Sequence, residues 1–160
     1  MNNNARSAAL TALLHVDVNE GYSNIVLDKT LSAFSLDQRD KALVSAIFYG
    51  VLERRITLDY IIGQFSKTPV RKMSAQVLEI LRMGVYQILY LEKIPKSAAV
   101  NESVNLAKEN EAVKASGFIN AVLRALLRNI DHIQMPDSEK EPLLYLSVKY
   151  SCPEWLIALW

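Results

Sequence analysis

A single cysteine, Cys152, stands among 160 residues, which excludes a disulfide framework and fits a reducing cytoplasm. Five glycines and five prolines are too few for a turn-rich β sandwich or barrel. The glycines (21, 50, 63, 84 and 117) are isolated, so no glycine-rich phosphate or nucleotide loop is written into the chain. The histidines, His15 and His132, lie far apart and no Cys-x-x-Cys occurs, which argues against a metal site. No apolar run approaches the ~18–20 residues that a membrane span needs. The stretch from Ala8 to Val16 is interrupted by Thr11 and His15, ends at Asp17 and lacks the small-residue pattern of a signal peptide. Aromatic residues make up only 8%.

What is present suits one compact helical domain. Half the chain is apolar (51%), with Ala, Leu, Ile and Val dominant, and 22% is charged. Apolar spacing predicts a first helix from about Ala5 to Asp17, a break at Asn19 and Gly21, and a second helix from Ser23 or Asn24, as cap, to Phe34. Ser35 and Gln38 have capping-box spacing. A long pattern follows to Phe65, with a break at Arg54, Arg55 and Thr57 and a restart at Thr57 or Asp59. Lys67 to Lys72, around Pro69, reads as a basic loop, and Ser74 caps the helix 75–91. That helix is apolar on nearly every side, as expected at the centre of a bundle. Ser97 opens the next helix, on which Asn101, together with Asn120 further on, is expected to supply buried amides between helices. Residues 115–130 carry an unbroken three-four alternation. The acidic tract 131–142, with two prolines, reads as a linker before a short helix (Leu143 to Tyr150) and a last one opened by Pro153.

The net charge is +1, but residues 65–96 hold six Lys/Arg against two Asp/Glu. A basic middle on a near-neutral chain permits contact with a polyanion, and equally a solvated face. Catalytic arrangements are missing. Cys152, beside Pro153 and Trp155, has Lys149 as its only nearby cation, and Glu109 and Glu111 fall on a solvated helix end. The residues alone favour a binding module over an enzyme, for a polyanion or for a protein partner docked on apolar helix faces.

Four strings, in order, carry a family resemblance. They are Arg39 to Ile62 (with Tyr49-Gly50-Val51-Leu52-Glu53-Arg54-Arg55), Leu81-Arg82-Met83-Gly84-Val85-Tyr86-Gln87-Ile88-Leu89-Tyr90, Ile94-Pro95-Lys96-Ser97-Ala98-Ala99-Val100-Asn101-Glu102-Ser103-Val104, and Gly117-Phe118-Ile119-Asn120-Ala121-Val122-Leu123-Arg124. Together they resemble the helical domain shared by the antitermination factor NusB and the N-terminus of the bacterial small-subunit rRNA cytosine-C5 methyltransferases of the Sun/Fmu (RsmB) type. The continuation past Arg124 to Pro153-Glu154-Trp155-Leu156 is similar to the methyltransferase linker.

The resemblance implies an all-α, NusB-like bundle of two packed helical subdomains over residues 1–130. A linker at 131–160 would then lead to a methyltransferase domain of the same polypeptide that is not in this chain. It implies small-subunit ribosomal RNA as partner and S-adenosylmethionine as cofactor of that other domain, with this one lacking catalytic and cofactor residues. A free-standing antitermination factor is the alternative it leaves.

Candidate RNA contacts follow. Arg6 matches the last arginine of the factor's basic N-terminus, where Asn2, Asn3 and Asn4 replace earlier cations and Leu14 replaces an aromatic. Phe118 matches the family phenylalanine, although its place on the apolar stripe also suits core packing. Lys67, Arg71, Lys72 and Lys96 sit in or beside loops, where long cations suit phosphates, and Arg71, Lys72 and Lys96 are expected as one patch. Arg124 and Arg128 line the polar side of their helix, where they also complement its dipole.

Overall fold

The computed structural model describes residues 4–18, 22–110 and 112–159. Asn2, Asn3, Asn19, Gly21, Glu111 and Trp160 lie outside them. Among the described residues there are nine α-helices and no strand. They are α1 (Asn4–Val18), α2 (Ser23–Ala33), α3 (Gln38–Glu53), α4 (Arg55–Phe65), α5 (Ala75–Tyr90), α6 (Lys96–Glu109), α7 (Ser116–Arg128), α8 (Pro142–Tyr150) and α9 (Glu154–Ile157). Short 3-10 turns occupy Val70–Lys72, Val113–Ala115 and Ile130–His132.

α1, α2 and α3 pack as one group, and α4 to α7 as the other. α5 joins them, touching α1 and α3 on one side and α4, α6 and α7 on the other. This explains its composition: a helix with neighbours on most sides has little face left for water. Even its polar Glu79 and Gln87 are buried, at 0% and 1% exposure. One continuous apolar core results, with Leu13, Phe48, Leu58, Leu81, Ile119 and Leu123 fully enclosed. α7 buries Ile119, Val122, Leu123 and Leu126, the stripe that its alternation predicts.

Two glycines set how closely the helices approach. A Cβ on Gly50 of α3 would lie 2.0 Å from the Tyr86 ring of α5. One on Gly84 would lie 2.8 Å from Ser103 Oγ of α6 and 2.9 Å from Leu123 Cδ1 of α7. Both positions therefore need glycine for lack of space, where the sequence shows only isolated interruptions.

Helix starts follow capping chemistry, with corrections. Ser74 caps α5 as expected, accepting from the Val77 amide at 3.3 Å. α3 is capped by Asp37, whose Oδ1 accepts from the Asp40 amide at 2.8 Å, so the Ser35–Gln38 capping box does not form. Gln38 is the first helical residue, which places Ser35 too early to reach the orphan amides. α2 starts at Ser23 itself after an uncapped Tyr22, so neither Ser23 nor Asn24 is its cap. The break at Arg54 is present, but α4 resumes at Arg55 without a side-chain cap, ahead of Thr57.

Thr57 is used otherwise. Its hydroxyl donates to the Val148 carbonyl of α8. The Ile56 amide donates to Ser151 Oγ at 3.0 Å, and Ser151 adopts φ 51° just past α8. The tract beyond residue 130 thus carries a helix seated on α4, with Val148 1% exposed.

Candidate nucleic-acid interface

The candidate cations divide into three places. Lys67, Arg71 and Lys72 are exposed around the turn Val70–Lys72. That loop is shaped by Ser66, whose Oγ donates to the Thr68 carbonyl (2.7 Å) and accepts from its amide (3.0 Å). Among the described residues none of the three cations forms an ion pair. Lys96 is exposed at the start of α6. Arg124 and Arg128 are exposed on α7, where Arg124 Nε donates to Asn120 Oδ1 at 3.0 Å.

The expectation of one patch from Arg71, Lys72 and Lys96 needs correction. The first two precede α5 and the third follows it, and 16 helical residues span about 24 Å. The expectation of buried bridging amides also fails. Asn101 is exposed, and Asn120 is half-buried and pairs within its own helix. A side chain that finds a partner one turn away on its own helix has no need of a neighbouring one.

Arg6 and Phe118 are drawn inward. Arg6 Nε donates to Gln87 Oε1 at 2.7 Å, tying α1 to α5. Burial lowers its pKa, partly offset by the nearby Glu102 carboxylate. Phe118 is half-buried against the core.

Two features escape sequence reasoning. The first is an ion-pair network at the α4–α5 contact. Arg82 clamps Asp59 with two bonds of 2.7 Å and donates to Glu79 Oε1 at 2.6 Å. Arg55 donates to Glu79 Oε2 at 3.3 Å. The Glu79 side chain is 1% exposed. Burial alone would lower the Arg82 pKa, but the hydrogen bonds and charge of Asp59, together with Glu79, raise it well above the ordinary arginine value. The three-residue spacing of Glu79 and Arg82 was the one local signal; Asp59 and Arg55 come from another helix.

The second feature lies at Arg54, one residue away on the chain. Its guanidinium sits 4.5 Å from the Tyr90 ring centroid and 5.8 Å from that of Tyr86. The two rings stack at 5.4 Å with 23° between their planes. Tyr90 remains 39% exposed and opens into a groove of about 360 Å³ whose far wall is Lys149 and Tyr150. The Lys149 ammonium lies 5.6 Å from the Tyr145 ring centroid and 5.4 Å from that of Tyr150. Tyr145, and then Tyr150, raise its pKa.

Among the described residues no group of three or more His, Cys, Asp or Glu side chains is placed to hold a metal. No helix among them is long and apolar enough to cross a membrane.

Known proteins share this architecture. A protein chain from the crystal structure of a plectonemic RNA supercoil superposes with a TM-score of 0.73 at 18% identity, covering 82% of this chain and 96% of that one. At that identity the likeness concerns the fold alone. The probable ribosomal RNA small subunit methyltransferase B of Bacillus subtilis is 35% identical over 155 residues, 97% of this chain but 34% of that protein. Its counterpart in Synechocystis is 33% identical over the same share of each. This chain therefore spans about a third of the length of these relatives. The transcription antitermination protein NusB of Bacillus velezensis is 31% identical over 128 residues, 79% of this chain and 95% of that protein. The NusB family profile matches residues 3–128, which takes in α1 to α7, the glycine-spaced bundle around α5. With that match over most of its length, the chain belongs to the NusB family.

Proposed function

We propose that this chain is the N-terminal RNA-binding domain of an S-adenosylmethionine-dependent rRNA cytosine-C5 methyltransferase in the cytoplasm, holding small-subunit ribosomal RNA for a catalytic domain of the same polypeptide. The observation that carries this reading is the reach of the similarity. The family profile ends at residue 128, whereas the methyltransferase relatives match 97% of the chain, including most of the tract that forms α8 on α4. The exposed cations of the 67–72 loop, Lys96, Arg124 and Arg128 are the proposed phosphate contacts, and they act by position and charge without reading sequence.

S-adenosylmethionine would supply the methyl group in the other domain. The residues present here do not fit that cofactor. Its usual strand-to-helix glycine turn has no counterpart among the described residues, which form no strand and keep their glycines apart. The second reading is a free-standing antitermination factor. It is favoured by the 95% coverage of the Bacillus velezensis protein, and disfavoured by α8.

The coding sequence that follows residue 160 tests the choice. A glycine-rich strand–turn–helix signature with paired cysteines is the expected result, and a purified product should then transfer methyl groups to small-subunit rRNA. A stop codon directly after Trp160 would contradict the methyltransferase reading and leave the antitermination one.

A further inference from the structure

The groove between the α3–α4 junction, the end of α5 and the end of α8 has the make-up of a single-strand binding site. One wall is Tyr90, stacked on the buried Tyr86 ring, with Arg54 over it. On its far wall Tyr150 is 64% exposed, and Lys149 stands beside it. Two exposed rings, Tyr90 and Tyr150, each with a cation beside it, match what an unpaired nucleotide presents, a flat base and a phosphate. A duplex keeps its bases stacked internally and has no free face to offer such rings.

The walls are also held in place. Gly50 leaves room for the Tyr86 ring, and its helix α3 leads directly to Arg54. On the other side the Ile56–Ser151 and Thr57–Val148 hydrogen bonds fasten the end of α8 to the start of α4. A groove built in advance needs little ordering when it binds. Lys149 and Tyr150 lie beyond residue 128, so the family bundle alone makes only half of it.

Resting on the RNA-binding reading above, we infer that this groove binds an unpaired stretch of RNA, with bases stacked on Tyr90 and Tyr150 and phosphates held by Arg54 and Lys149. Glu53 also lines the groove, 3.5 Å from Arg54, and its carboxylate opposes a phosphate there. Removing that charge should strengthen binding.

The test is fluorescence anisotropy of the full chain with a labelled oligouridylate and with an RNA duplex of equal length, alongside a small-subunit rRNA fragment. Wild type should prefer the single strand. Tyr150→Ala should weaken single-strand binding by roughly tenfold, the size of one base–aromatic stack. Tyr150→Phe should retain it and Glu53→Gln should improve it. The melting temperature of Tyr150→Ala should stay at the wild-type value, since the ring is exposed. Photocrosslinks from 4-thiouridine-substituted RNA should map to Tyr90 or to the 149–150 segment. If the rRNA fragment binds, but Tyr150→Ala and Lys149→Glu bind single strands as wild type does and crosslinks fall elsewhere, the groove assignment is overturned while the RNA-binding reading stands. If wild type binds none of the three RNAs, both fall together.

Discussion

Arg54 and Arg55 are neighbours on the chain with different partners. Arg55 turns toward α5 and meets Glu79, which also holds Arg82, itself clamped on Asp59. Among the described residues Arg54 meets its exposed neighbour Glu53 and two tyrosine rings at the end of α5, of which Tyr90 lines a groove. The difference lies in what each position leaves unsatisfied. A buried carboxylate such as Glu79 needs its cations, so their part is structural. A half-exposed cation beside aromatic rings, paired with an exposed carboxylate, remains available to an anion. The surface proposed for recognition thus begins one residue from charges that hold the bundle together.

The largest effects should come from the inner side. Glu79→Ala removes the acceptor shared by two arginines and should cost roughly 3–5 kcal/mol in denaturant unfolding, as for other broken buried pairs. A cost below about 1 kcal/mol would erase the contrast between the two regions. Leu81→Ala, at a fully buried position, should cost about 2–5 kcal/mol by the same measurement. Gly50→Ala places a methyl against the Tyr86 ring and should cost about 1–3 kcal/mol through overpacking. It should also weaken RNA binding, because the ring beneath Tyr90 must move.

The outer side should respond in binding and hardly at all in stability. Replacing Arg71 and Lys72 with Glu should change unfolding by only about 0–1 kcal/mol, as for exposed charges. Its effect should appear as a shallower salt dependence of RNA binding, with the slope reduced by roughly one unit for each phosphate no longer neutralised. Wild-type binding and slope in that double variant would assign the loop to a solvated face.

Features that rest on local periodicity were legible in the sequence. The α7 stripe, the central α5, the Ser74 cap and the break at Arg54 each depend on residues within a turn or two of one another. Features that join distant segments were not. Asp59 and Arg82 lie 23 residues apart, Arg55 and Glu79 lie 24 apart, and Tyr90 shares a groove with the 149–151 segment only because α8 folds back on α4. Composition showed a basic middle, but not that the length of α5 would divide its cations between two ends. Asp37 displaced Ser35 as a cap because helix onset is decided by which side chain reaches the free amides, and the Ser35–Gln38 spacing alone does not show where the helix begins.

The most direct test is a titration of the wild-type chain with a small-subunit rRNA fragment at two salt concentrations. A domain that holds RNA through exposed lysines and arginines should bind at low salt and lose affinity steeply at high salt, in proportion to the phosphates it neutralises. Absence of binding at low salt, or affinity independent of salt, would contradict the account.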